Sequence, residues 1–136
     1  MLEKPLRILY LDDSVAALEE VSGALSAEGH DVRTAATVGE AAPWLDRCDI
    51  VIIDFHMPGI NGAEALEELQ RKQSSSAAGA VYYLYTTDTS VAVKFRAHGF
   101  HGAFTDKGNV ATLAAQVATA ARLLKMRRFV ARGNAR

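Results

Sequence analysis

The chain has a single cysteine, Cys48, so it can form neither an internal disulfide nor a zinc cage of thiolates. No apolar run approaches the ~20 residues that cross a bilayer. The opening, MLEKPLRILYLDD, meets an acidic pair too soon for a signal peptide. The cytoplasm is therefore the expected location, and no membrane partner is expected. No G-x-G-x-x-G follows the first apolar run; LDDSVAA stands there instead, which excludes a dinucleotide-binding loop. The two acids would also repel a flavin phosphate. A phosphatase pattern of two Asp separated by one residue is missing at the same place. Acids are lacking altogether after Asp106, where Lys107, Arg122, Lys125, Arg127, Arg128, Arg132 and Arg136 follow. Such a stretch could touch nucleic acid or an acidic partner. The plainer reading is a solvated helix end, whose cations suit the helix dipole, followed by a frayed terminus. Nucleic acid is accordingly not an expected partner.

What is present is an ordinary globular mix: 136 residues, 49% hydrophobic and 23% charged, enough for one packed domain. Two textures alternate along it. Short apolar runs at residues 7–11, 31–35, 49–54, 80–86 and 102–105 read as strands. The run DIVIID is the clearest, and its continuous apolarity suits a parallel sheet covered on both faces. Helical spacing fills the gaps. Ser14 caps a helix over 15–28 that Gly29 ends. Residues 38–47 read as a shorter helix with Pro43 inside it. Helices over 62–73 and 90–98 follow, and Asn109 caps a last one over 110–126. Residues 56–61 and 74–79 read as loops. There is no internal repeat and no linker.

Strands alternating with helices imply an α/β, doubly wound domain: a parallel sheet with helices on both faces. The carboxyl ends of such strands hold the site. The residues standing there are Asp12 and Asp13, Asp54, Thr86 and Thr87, and Lys107. Clustered carboxylates repel unless a proton or a cation intervenes. A hard divalent cation with oxygen ligands resolves this, and Mg²⁺ suits a site of one or two carboxylates completed by water and phosphate oxygens. An Asp before a helix is often only a cap, but three acids at the ends of two apolar strands exceed what caps require.

The turn after Asp54 reads FHMPGING. The pattern D-x-x-M-P-x-x-x-G, here Asp54, Met57, Pro58 and Gly62, resembles the phosphorylation loop of response-regulator receiver domains. The acidic pair, the hydroxyl and the lysine occur in that family's order. The resemblance covers residues 5–126 and leaves 127–136 as a basic C-terminal tail. It implies a flavodoxin-like three-layer fold with a five-stranded parallel sheet in the order 2-1-3-4-5. It implies Asp54 as phosphoacceptor, Asp13 and Asp54 as Mg²⁺ ligands with the His56 backbone carbonyl, and Asp12 holding metal-bound water. Lys107 would meet phosphoryl oxygens. Thr86 would be the switch hydroxyl, with Thr87 as the alternative, and Phe104 the switch aromatic.

The implied partners are a histidine kinase or histidine phosphotransfer protein and a downstream protein on the face of the fourth helix, fifth strand and last helix. The alanine-rich last helix could also form a homodimer. Such a protein is regulatory and not an enzyme beyond its own phosphorylation and dephosphorylation. The family usually carries Lys-Pro after the fifth strand, whereas Lys107 is followed here by Gly108. A pseudo-receiver that docks without phosphorylation is the alternative reading. No output segment is expected after residue 126, so the chain reads as a stand-alone receiver or one cut from a longer protein.

Overall fold

In chain order the elements are β1 (Arg7–Leu11), α1 (Val15–Ala27), β2 (Asp31–Ala35), α2 (Val38–Ala41), β3 (Ile50–Asp54), the short strands β4 (His56–Met57) and β5 (Ile60–Asn61), α3 (Gly62–Lys72), β6 (Val81–Tyr85), α4 (Thr89–Ala92), β7 (Gly102–Phe104) and α5 (Val110–Asn134). This computed structural model describes residues 6–73 and 80–134, with side chains as far as Val130 in α5. The loop expected over 74–79, Pro5 and the last two residues lie outside the described residues.

Five strands pair in parallel in the order β2-β1-β3-β6-β7. With the two hairpin strands set aside, this is the expected 2-1-3-4-5. Side chains alternate across each strand, so each strand feeds two cores. Leu9, Leu11, Val51, Ile53, Tyr82 and Leu84 face a layer that includes Leu45, Leu66, Leu69 and Phe100. Ile8, Tyr10, Ile50, Ile52, Tyr85 and Phe104 face Val21 and Leu25 of α1 and Leu113, Val117 and Leu124 of α5. Every residue of β3 is buried, as its unbroken apolarity requires.

Several elements differ from the sequence reading. The helix expected over 38–47 is α-helical only to Ala41 and continues as a 3₁₀ turn over Ala42–Arg47, because Pro43 offers no N–H to a fourth-residue carbonyl. The helix expected over 90–98 stops at Ala92. Beyond it Lys94 and Phe95 bond three residues back, to Val91 and Ala92. Val91, Val93 and Phe95 are weak helix formers, and Val93 lies exposed with nothing to hold a longer helix. The expected loop 56–61 is a small antiparallel hairpin turned at Pro58 and Gly59, whose φ is +80°. The last helix runs past residue 126 to Asn134.

Candidate functional site

Register builds the site. Leu11 pairs with Ile53, so Asp12 falls level with Asp54 on the neighbouring strand. Asp54 in turn pairs with Tyr85, and Thr86 follows it. The ladder runs one step beyond the strands: Asp12 N–H donates to Ala35 O at 3.1 Å, Phe55 N–H to Tyr85 O at 3.2 Å, and Thr86 N–H to Phe104 O at 3.2 Å. Gly62 belongs to the same construction. A Cβ there would lie 2.8 Å from the Phe55 Cα, so only glycine lets α3 start against the chain leaving Asp54. Asn61 and Glu64 then cap α3 reciprocally.

The charges are unevenly matched. Asp12 is wholly buried and Asp54 nearly so, whereas Asp13 is exposed. Lys107 Nζ lies 3.1 Å from Asp12 Oδ2 and 3.7 Å from Asp54 Oδ1. The Tyr10 hydroxyl donates to the same Oδ2, and the Ser14 N–H donates to Oδ1 at 3.0 Å. Burial alone would raise the Asp12 pKa, but the bonds from Tyr10, Ser14 and Lys107 outweigh it and hold that carboxyl below its ordinary value. Asp54 goes the other way. Burial, and then the Asp12 charge beside it, pushes its carboxyl up to about 6 against the pull of Lys107 and a backbone bond from His56. Burial works against the charge on Lys107 as well, yet the two carboxylates keep its pKa above the usual value.

Lys107 is held by an unusual loop. Asp106 before it has φ +60° and Gly108 after it φ +103°, both left-handed. Gly108 thus turns the chain at the position where the sequence resemblance implies a proline, and its N–H donates to the Tyr85 hydroxyl at 3.3 Å. Asn109 caps α5 by accepting from Thr112 N–H at 3.1 Å. Of the two candidate hydroxyls, Thr86 is buried, and its Oγ1 accepts from Asp88 N–H at 2.9 Å; Thr87 is exposed. Phe104 is buried and stacks on Tyr83, centroids 4.4 Å apart. Tyr83 lies over Gly102, where a Cβ would be 2.5 Å from its ring.

Asp12, Asp54 and Lys107 therefore meet in one cluster, and Asp54, His56, Thr86, Thr87, Lys107 and Ser14 share the lining of a cleft of about 390 Å³. Phe104 stands apart from that lining, in the core beneath. One carboxylate oxygen from each of Asp12, Asp13 and Asp54 lies within 4.8 Å of the others. Such an all-oxygen donor set, with one acid open to solvent, fits a hard divalent cation. Sequence reasoning missed Tyr10 and Tyr85 as parts of the site. The signal was available: Tyr10 stands two residues before Asp12 on a strand, hence on the same face.

Comparison with known proteins follows the same lines. Residues 8–118 match the family model for the response regulator receiver domain. The protein PilH of Pseudomonas aeruginosa is 34% identical over 73 residues, covering 52% of this chain and 60% of PilH. A CpxR homolog of Haemophilus influenzae, a transcriptional regulatory protein, is 36% identical over 66 residues, 48% of this chain and 29% of that protein. The chain thus spans less than two thirds of the length of the curated relatives it matches, from 60% of PilH down to 29% of the CpxR homolog. Among solved structures, the chemotaxis response regulator CheY4 of Vibrio cholerae superposes with a TM-score of 0.69 at 28% identity, over 85% of this chain and 98% of CheY4.

Proposed function

The chain belongs to the response regulator receiver domain family, and we propose that it works as a phosphorylation switch whose phosphoryl acceptor is Asp54. The observation that carries this reading is the raised, buried carboxyl of Asp54 placed 3.7 Å from the Lys107 ammonium at the carboxyl edge of the sheet. In this reading Asp54 Oδ attacks the phosphorus of a phosphohistidine on a kinase or phosphotransfer protein. The P–N bond breaks, and its electron pair leaves with the imidazole. Lys107 neutralises charge on the transferring oxygens, and Thr86 turns its hydroxyl from Asp88 N–H toward the new phosphoryl group.

Asp13, Asp54 and the His56 carbonyl would hold Mg²⁺, with Asp12 fixing its water. The ion, when bound, supplies the charge neutralisation that lets carboxylates and a phosphoryl group share one cleft. Phe104 is the ring that follows Thr86, and a downstream protein reads the change on the face of α4, β7 and α5. The protein is regulatory and works in the cytoplasm. No helix among the described residues is long and apolar enough to cross a membrane.

The test is intact-mass measurement after incubation with Mg²⁺ and acetyl phosphate. The expected result is the gain of one phosphoryl group, absent in Asp54→Asn. A parent chain that gains nothing, and whose unfolding is unmoved by Mg²⁺, would overturn the proposal in favour of a docking module independent of phosphorylation.

A further inference from the structure

Helix α5 is apolar on two sides. Leu113, Val117, Ala120, Ala121 and Leu124 bury one side against the sheet. On the other, Leu123, Met126, Phe129 and Val130 stand at spacings of three and four and remain open, with exposures of 50, 63, 74 and 56%. Earlier on that side the helix is ordinary: Ala115 and Thr119 are small or polar and exposed. The open stripe therefore begins where the family match, which ends at residue 118, has already stopped.

One ion pair orients the stripe. Arg128 donates from its guanidinium to Asp49 Oδ1 at 3.0 Å, while the other Asp49 oxygen accepts the Arg7 N–H at 2.8 Å. This ion pair ties the late turns of α5 to the amino edge of the sheet and turns the apolar side outward. Met126, Phe129 and Val130, with Arg122 and Lys125, line a groove of about 360 Å³. Contiguous apolar surface with a polar rim marks a recognition site.

We propose that this groove docks an amphipathic helix of a partner protein, one whose apolar stripe is flanked by carboxylates. The charges select that occupant. Arg122 rims the groove, Arg127 is exposed on the same turns, and no acid follows Asp106 in the chain. A second copy set stripe against stripe would bring these cations onto their own like, which is repulsive. An acidic helix would pair with them and seat its anchors at the same three-and-four spacing. The stripe is two turns long, a length that matches the anchors of one partner helix and offers a bilayer little apolar area. The groove is remote from Asp54 and needs no phosphoryl group, so the proposal stands or falls apart from the reading of Asp54.

The full chain is titrated, by fluorescence anisotropy, into a labelled synthetic helix with a leucine stripe and glutamate flanks. The comparison arms are the same helix with lysine flanks, anionic phosphatidylglycerol vesicles, and sedimentation of the chain alone. Expected is saturable one-to-one binding of the glutamate helix, at least about tenfold weaker for the lysine helix and for Arg122→Glu/Arg127→Glu. Phe129→Asp, a surface change checked by unchanged thermal unfolding, abolishes it, and Asp54→Asn leaves it intact. Equal binding of both helices, binding of vesicles alone, self-association lost in Phe129→Asp, or no binding at all would each overturn the proposal.

Discussion

The ammonium of Lys107 sits 3.1 Å from Oδ2 of Asp12, a carboxylate with no exposure to solvent. The pair is the electrostatic centre of the site, because Asp54 draws on the same ammonium. Removing one member of a buried pair strands the other. Lys107→Met should therefore cost about 3 kcal/mol of stability at neutral pH, read from urea unfolding. It should also slow phosphoryl uptake from acetyl phosphate by at least about 100-fold, the loss typical of one charge-stabilising donor. Uptake at the parent rate would remove Lys107 from the proposed mechanism.

Asp54 gives a pH dependence of the less common sign. Its folded pKa, about 6, lies above the ordinary 3.8, so the folded chain holds this proton more tightly than the unfolded chain does. Without a divalent cation, the stability this group contributes is full below about pH 4, falls as pH climbs toward 6, and is flat beyond. A shift of roughly two units corresponds to about 3 kcal/mol. Unfolding in EDTA at pH 4.5 and pH 7 should show this slope in the parent and its absence in Asp54→Asn, the difference being the contribution of Asp54. Parallel slopes in the two proteins would contradict the raised pKa.

The sheet and its carboxyl-edge acids were legible because apolar strands and terminal aspartates are local signals. Ser14 and Asn109 likewise announce their helices by residue type, and both cap them. The helix over 90–98 was misread because its spacing is helical while packing decides how much of it forms: Phe95 packs against the core and Val93 does not. The extent of α5 was hidden for the opposite reason. Its cationic end looks like solvated tail, and the clamp that holds it comes from Asp49, 79 residues away. The contributions of Tyr10 and Tyr85 depend on where a hydroxyl ends up, which strand periodicity narrows to a face but not to a partner.

Two glycines separate a backbone clash from a side-chain one. An alanine at Gly62 would meet the Phe55 Cα at 2.8 Å, and main chain cannot step aside. Alanine is otherwise the better helix former by about 1 kcal/mol, so a net loss in Gly62→Ala isolates the clash. The expected loss is about 2 kcal/mol, within the range for overpacking. At Gly102 the clash is with the Tyr83 ring, a partly exposed side chain that can shift at the expense of its stack on Phe104. Gly102→Ala should cost less, and the change should appear in the aromatic circular dichroism of the Tyr83–Phe104 stack. The reverse ranking of stabilities would refute this account.

Asp49 carries the opposite pH sign to Asp54. Burial would raise its pKa, but the Arg7 N–H and the guanidinium groups of Arg128 and Arg7 win and hold it below the ordinary value. Its contribution is thus present above about pH 4 and is lost as pH falls through the lowered folded value. Arg128 is partly exposed, so screening limits its share to about 1 kcal/mol. Arg128→Ala should lower stability by that much at pH 7, and the gap should close as Asp49 protonates at lower pH. Amide exchange over residues 125–134 should quicken at neutral pH in the same variant. Unaltered exchange there would show that α5 is held by its apolar face alone.

Tyr10 tests whether the hydroxyl on Asp12 contributes energy or merely occupies space. The ring is fully buried, and its hydroxyl shares Asp12 Oδ2 with Lys107. Tyr10→Phe keeps the ring and its contact with Tyr85 but removes one donor from a buried anion. A hydrogen bond to a charged group contributes about 2 kcal/mol, although the loss measured in the single variant also includes changes in packing. A double-mutant cycle with Asp12→Asn cancels these, since the amide oxygen accepts but carries no charge. A coupling energy of about 1–2 kcal/mol is expected, because the asparagine keeps a weaker version of the bond. A coupling near zero would mean that Lys107 and Ser14 alone hold Asp12 charged, and that Tyr10 serves the core and not the site.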